Sequence, residues 1–317
     1  MSVVIRMRRT GDPSVLVSEE DVVGVPGRGQ VKLRQEAIGV NFIDTMFRSG
    51  AFSTDLPFVT GVEAAGVITE VGPETDGFAV GDRVAYFFAP GAYAAERLID
   101  IAPLVHLPAD VPSEIAAGLM TKGVTAWLAV KKLHEVKAGD RVLVQGATGG
   151  VGTLVTRWAK ALGATVVAVG SRSKLARISA DADHVLASDE ANLADRIRAV
   201  VPQGVDVVYE FVGKATFAAS VQNVQDRGAI FTIGAASGSP EIDQKVLAAR
   251  GLKVSHASAA ATVTGAMLAQ AATAVFDQWR DGIFGEIELQ RYRLADAAQA
   301  HADYIARKIG TNPILVP

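Results

Sequence analysis

An apolar run that breaks into glycines, RVLVQGATGGVG over Arg141–Gly152, has the spacing in this chain that points most directly to chemistry. In Ala147-Thr148-Gly149-Gly150-Val151-Gly152, Ala147 stands where a G-x-G-x-x-G fingerprint has its first glycine. Gly149 lets the backbone approach a pyrophosphate, and Gly152 lets the following helix pack tightly on its strand. A helix predicted over Val151–Leu162 opens at this turn. Backbone N–H groups around Gly150 and Val151 and the positive end of the helix dipole are therefore offered to an anion. Further on, a dinucleotide-binding unit ends its second strand, and an acidic residue there accepts from the adenosine ribose 2′-hydroxyl. This chain has Gly170-Ser171-Arg172-Ser173-Lys174 at that place. Arginine grips a phosphate through two parallel N–H donors and lysine adds a point charge. The pattern predicts NADPH as cofactor; the plain alternative is a set of solvated residues opening a helix.

Other chemistries find little support. No cysteine occurs among the 317 residues. That excludes disulfides, a thiolate nucleophile and cysteine-ligated zinc, and it fits a cytoplasmic, reducing location. His106, His134, His184, His256 and His301 are not spaced like a metal pair, and no G-x-S-x-G nucleophile elbow is present. The net charge of −3 gives no electrostatic case for nucleic acid or an anionic membrane. No run of about 20 apolar residues suggests a membrane span. MSVVIRMRRTGDPSVL lacks an apolar stretch followed by a cleavage site, so no signal peptide is expected.

The elements that must position these residues follow from rhythm. With 49% hydrophobic residues and 31 glycines the chain can bury a large core. Up to about residue 120 it reads as mostly β. Short strands at Ser2–Met7, Gln30–Ile38, Gly66–Val71, Arg83–Tyr86 and Ala92–Leu98 are cut by Gly/Pro turns, which suggests a barrel-like unit. From about residue 123, apolar strands alternate with helices. The strands are Val142–Gln145, Thr165–Val169, His184–Leu186, Val205–Tyr209, Ala229–Ile233 and Leu252–Val254. The helices are Val151–Leu162, Ser173–Ala180, Leu193–Val200, Lys214–Val224 and Gln244–Ala249. That alternation predicts an α/β unit with a doubly wound parallel sheet. A helix over Val263–Trp279, a strand near Ile287–Tyr292, a helix over Ala295–Lys308 and a strand at Pro313–Val316 make a tail too short for a domain. The tail is expected to return to the N-terminal β unit.

Several further motifs occur in a fixed order: Ala37-Ile38-Gly39-Val40-Asn41-Phe42-Ile43-Asp44-Thr45 with Arg48-Ser49-Gly50, then Gly61-Val62-Glu63-Ala64-Ala65-Gly66-Val67 and Val80-Gly81-Asp82-Arg83-Val84. Gly91-Ala92-Tyr93-Ala94, Lys122-Gly123-Val124-Thr125-Ala126, Tyr209-Glu210-Phe211-Val212-Gly213, Ala300-His301 and the ending Pro313-Ile314-Leu315-Val316-Pro317 continue it. Over its whole length the chain resembles the zinc-free, zeta-crystallin-like quinone oxidoreductases of the medium-chain dehydrogenase/reductase superfamily. The resemblance implies a GroES-like β domain (1–122 and 259–317) and an inserted Rossmann NADPH-binding domain (123–258). It also implies an interdomain cleft for the nicotinamide, and a homodimer. Zinc-dependent relatives carry cysteine near position 41 and histidine after Gly61. Asn41 and Val62 stand there, and neither replaces those ligands, so no metal is expected.

The resemblance also assigns roles. Asn41 and Asp44 are the candidate catalytic residues, Asn41 donating to a substrate carbonyl and Asp44 orienting a ribose hydroxyl or water; capping of a turn is their alternative role. Phe42, Met46, Thr125, Ser188, Ile233, Gly234, Ala235, Ser255 and Arg307 are placed about the cofactor, and Ile43, Met46 and Phe52 about the substrate. Met46 and Phe52 stand where members of the family often have tyrosines, and Ser188 where a tyrosine stacks near the 2′-phosphate. Among the histidines, His256 falls nearest the expected nicotinamide. The implied reaction is direct hydride transfer from NADPH to a quinone, which needs no Lewis acid because its product is delocalised. NADPH-dependent reduction of 2-alkenals or enones is the nearest alternative. A binding or structural role, crystallin-like or RNA-binding, is the alternative of another class.

Overall fold

In the computed structural model, residues 1–310 and 312–317 are described. They form two compact units: Met1–Val124 with Thr264–Phe276 and Glu286–Pro317, and Thr125–Val263 with Asp277–Gly285.

The first unit contains β1 (Ser2–Met7), β2 (Val17–Asp21), β3 (Gln30–Gly39), α1 (Phe42–Ser49), β4 (Phe58–Val59), β5 (Ala64–Val71), β6 (Arg83–Tyr86), β7 (Glu96–Asp100), β8 (Leu104–His106) and most of α2 (Ser113–Trp127). Strand β3 is its spine, pairing antiparallel with β5 and β7. Along β3 the side chains of Val31, Leu33 and Gln35 turn inward at alternate positions, the two-residue period of a half-buried strand. Val31 and Leu33 meet Ile68, Val84, Tyr86 and Tyr93 in one core, and Gln35 accepts from the Tyr86 hydroxyl.

The second unit holds β9 (Arg141–Gln145), α3 (Gly150–Ala161), β10 (Thr165–Gly170), β11 (His184–Ala187), α4 (Leu193–Val200), β12 (Val205–Glu210), α5 (Phe217–Asn223), β13 (Val224–Thr232), α6 (Gln244–Arg250) and β14 (Lys253–His256). Its six strands run parallel in the order β11-β10-β9-β12-β13-β14. Val142–Val144, Val166–Val169 and Val207–Tyr209 are buried throughout, as expected of central strands covered on both faces. Beyond α7 (Ala259–Thr262) and α8 (Gly265–Arg280), β15 (Leu289–Arg293), α9 (Ala297–Ile305) and β16 (Asn312–Val316) rejoin the first unit, where β16 pairs with β3. The tail thus completes the N-terminal sheet, as the sequence suggested. Among the described residues no helix is long and apolar enough to cross a membrane.

Three local expectations change. The first 120 residues are not only β, since α1 and α2 lie there. Helix α2 is buried on nearly every side, with Ala116, Ala117, Leu119, Met120, Val124 and Ala126 all inside, so it lacks the one-sided apolar stripe that announces a helix. The segment expected as a helix over Ser173–Ala180 is a tighter 3₁₀ turn over Arg172–Ile178. The strand expected over Ala92–Leu98 is Glu96–Asp100.

Candidate active and dinucleotide sites

In the second unit the glycine turn is tied down before it reaches its helix. The N–H groups of Gly146 and Ala147 both donate to the Val169 carbonyl at 2.9 Å, fixing the turn to the end of β10. A Cβ on Gly152 would lie 2.2 Å from the Gly146 carbonyl oxygen, so the first turn of α3 presses on the loop and only glycine fits. Gly149 is the N-cap in an extended conformation and has no side chain to cap with. The first N–H groups of α3, around Gly150 and Val151, are thus left for another acceptor. This cradle fits a pyrophosphate.

The ends of the neighbouring strands lie alongside. Ser171 N–H donates to Thr148 Oγ1 at 3.2 Å, and Ser188 N–H donates to the Gly170 carbonyl at 2.8 Å. Gly170, Ser171, Arg172 and Ser188 therefore gather beside the turn, at the carboxyl ends of β10 and β11. The Lys174 backbone N–H closes on the Ser171 carbonyl. Arg172 is 61% exposed, and its Nη2 lies 2.9 Å from Asp189, a residue the sequence reading gave no role.

On the other side of β9, Ile233 and Gly234 donate from their backbones to the Glu210 carbonyl at 2.9 and 3.2 Å, at the end of β13. Ala235 follows them, and Ser255 in β14 pairs with Phe231. The strand order reverses between β9 and β12, where open α/β sheets bind ligands. Glu210, at the end of β12, is buried and accepts from Val212 N, Gly213 N, Thr216 Oγ1 and Ser220 Oγ, which shape the adjoining loop. Burial raises its carboxyl above the ordinary range in spite of those donors. Thr125 is buried in α2. Arg307 is exposed just past α9 in the first unit, with a left-handed backbone.

In the first unit, Asn41 caps α1. Its backbone N–H donates to Asp44 Oδ2 at 2.7 Å, and Gly50 ends the helix in the left-handed region. The Asn41 side chain is held from both ends. Nδ2 donates to Glu63 Oε1 at 2.7 Å, while Oδ1 accepts from Lys122 Nζ at 3.1 Å. Lys122 and Glu63 are 4% and 0% exposed and lie 3.6 Å apart. Glu63 Oε2 also accepts from Thr121 N–H. A Cβ on Gly39 would fall 2.3 Å from Glu63 Oε1 and 2.2 Å from the Ala117 carbonyl, so the glycine makes room for the pair.

Asp44 continues the network inward. Burial pushes its carboxyl up to about 8, helped by the Glu63 charge and opposed by the Asn41 N–H and Lys122. Oδ1 is buried with no protein partner. The Tyr93 hydroxyl lies 3.4 Å from Asp44 Oδ2 and 2.8 Å from His301 Nε2. Burial, with the Arg48 guanidinium nearby, takes His301 down to about 3, so it stays neutral. Ile43 and Met46 are half-buried on α1, whereas Phe42 and Phe52 are 48% and 41% exposed. The Phe47 and Phe52 rings lie 5.8 Å apart. Glu63, Lys122, Tyr93 and His301 had no assigned role in the sequence reading. For Glu63 and Lys122 the signal is a charge in an otherwise apolar run, GVEAAGV and LMTKGVTAW; Tyr93 and His301 carry no such local signal. His256, the histidine singled out there, is exposed at the end of β14 and meets Thr232 at 3.5 Å. Among the described residues no three His, Cys, Asp or Glu side chains are grouped to hold a metal ion.

A doubly wound sheet with an uncapped glycine turn, inserted in a GroES-like β unit, defines a dinucleotide-dependent oxidoreductase architecture. Residues 27–109 match the alcohol dehydrogenase GroES-like domain and residues 150–274 the zinc-binding dehydrogenase domain. A quinone oxidoreductase from Pseudomonas aeruginosa is 34% identical, covering 99% of both chains. A 2-haloacrylate reductase from a Burkholderia species is 35% identical over 98% of both. The Escherichia coli quinone oxidoreductase solved in complex with NADPH superposes with a TM-score of 0.95 at 31% identity, over 99% of this chain and 100% of that one. The chain belongs to the quinone oxidoreductase family of the medium-chain dehydrogenase/reductase superfamily.

Proposed function

We infer that this protein is an NADPH-dependent quinone oxidoreductase. The observation that carries the reading is the uncapped start of α3 with Gly152 pressed on the turn and Arg172 at the neighbouring strand end. There Gly149, Gly150 and Val151 hold the pyrophosphate, Ser171, Arg172, Lys174 and Ser188 the adenosine ribose and its 2′-phosphate, and Ile233, Gly234, Ala235 and Ser255 the nicotinamide half. When bound, NADPH supplies a hydride. The chain's own residues bind, orient and exclude water. Asn41 gives one N–H to Glu63 and keeps the other for a substrate carbonyl. Lys122 and Glu63 lock that amide in place, a preorganisation that does not have to be created at the moment of reaction. Asp44 holds a proton at neutral pH and offers Oδ1 to a ribose hydroxyl or an ordered water. Phe42, Ile43, Met46 and Phe52 give the substrate an apolar surface. With no phenol at positions 46 and 52, water supplies the proton that completes the hydroquinone.

The similarity to a 2-haloacrylate reductase supports a second reading, reduction of an activated C=C bond, which also adds hydride and a proton without a metal. The cysteine-free composition supports a reducing cytosol, and the family resemblance supports a homodimer. NADPH consumption with para-quinones, ortho-quinones, 2-alkenals and simple alcohols, with and without a chelator, tests the reading. Turnover on quinones that a chelator leaves unchanged is expected. Chelator-sensitive alcohol oxidation would overturn it.

A further inference from the structure

Strands β10 and β11 end side by side, with Gly170 paired to Ala187 and Ser188 N–H on the Gly170 carbonyl. The chain therefore leaves the sheet at two adjacent points, one leading to Arg172 and the other to Asp189. Their side chains meet in parallel. Arg172 Nε donates to Asp189 Oδ2 at 3.2 Å, and Nη2 lies 2.9 Å from Oδ1. One edge of the guanidinium fork that would grip a 2′-phosphate is already taken by a carboxylate of the same chain. Both partners are about 60% exposed, so the pair is weak and easily exchanged.

We propose that Asp189 sets the balance between the two nicotinamide dinucleotides by competing with the 2′-phosphate for Arg172. This rests on the reading of the glycine turn as a dinucleotide site. A phosphate entering beside Arg172 must displace the carboxylate or sit close to its charge, and both cost affinity. A ribose 2′-hydroxyl meets the reverse situation. Asp189 accepts its hydrogen bond, the part an acidic residue plays in NAD-selective sites, and no charge is opposed. The chain thus carries both halves of a cofactor selector on neighbouring strand ends: Arg172 favours the phosphorylated dinucleotide and Asp189 restrains that preference. An observable consequence is that NADH binds within reach of NADPH.

The test is direct binding of NADPH and NADH, by calorimetry, to the whole protein and to Asp189→Asn. The substitution keeps shape and hydrogen-bonding capacity and removes the charge. A dianionic phosphate about 7 Å from a carboxylate in a water-like dielectric gains roughly five- to tenfold in affinity when that charge goes. Asp189→Asn should therefore bind NADPH roughly five- to tenfold more tightly in dilute buffer, with NADH affinity unchanged or weakened, and the gain should shrink in high salt. Asp189→Glu, which keeps the charge, should stay within about twofold of the parent. An unchanged ratio of the two dissociation constants in Asp189→Asn would overturn the role of Asp189 and leave the dinucleotide site standing. Failure of the parent protein to bind either dinucleotide would instead remove the site itself.

Discussion

Replacing Lys122 by Met removes the cation that meets both Glu63 and Asn41 while keeping most of the side-chain volume. Glu63 is 0% exposed and lies 3.6 Å from the ammonium, and Asn41 Oδ1 accepts from the same nitrogen. Breaking a buried pair from one side leaves an uncompensated charge, at a cost of about 3–5 kcal/mol. For a protein of this size that lowers Tm by roughly 10 °C. Removing both charges, in Lys122→Met/Glu63→Gln, should restore at least half of the loss, since a neutral pair pays no desolvation penalty. Differential scanning calorimetry of the two single variants, the double variant and the parent gives the coupling directly. If Lys122→Met melts within about 1 kcal/mol of the parent, or if the two single losses simply add, the pair does not hold Asn41 as described.

Two further predictions concern charge. His301 is held neutral with its acidity moved from 6.5 to about 3, so its contribution to stability is present above the ordinary imidazole range and is lost as pH falls from 6.5 toward 3. Denaturation midpoints measured between pH 4 and 7 should fall less steeply in His301→Gln than in the parent. Arg172→Ala should raise the Kd for NADPH roughly 10- to 100-fold while leaving NADH nearly unchanged, the loss expected for charge-assisted hydrogen bonds to a 2′-phosphate; equilibrium binding checks it.

Much of the second unit was legible in the residues. Runs such as Val142–Val144 and Val166–Val169 are apolar because both faces of a parallel sheet are covered, and the turn glycines announce the helix that follows. Asn41, Asp44 three places on and Gly50 at the end also mark helix α1, but for Asn41 and Asp44 capping is only the alternative to a chemical role. In the structure Asp44 closes the helix start and is buried, where desolvation raises its carboxyl to about 8. What stayed hidden is whatever depends on distant pairing. Nothing local to Lys122 says that its partner lies at position 63, or that Tyr93 meets His301 across 208 residues. Asp189 was passed over for the same reason. It becomes relevant to the cofactor only because β10 and β11 are neighbours in register.

Direct transfer of hydride from bound NADPH to a quinone is the reaction proposed for this chain. It is tested most directly by single-turnover oxidation of NADPH carrying deuterium at the transferring C4 position, with a para-quinone as acceptor. Oxidation by the metal-free protein is expected with a primary isotope effect, at a rate at least about tenfold lower in Asn41→Ala, the loss of one well-placed hydrogen bond. Oxidation of bound NADPH with no isotope effect at saturating quinone in both proteins, or at the same rate in Asn41→Ala, would contradict it.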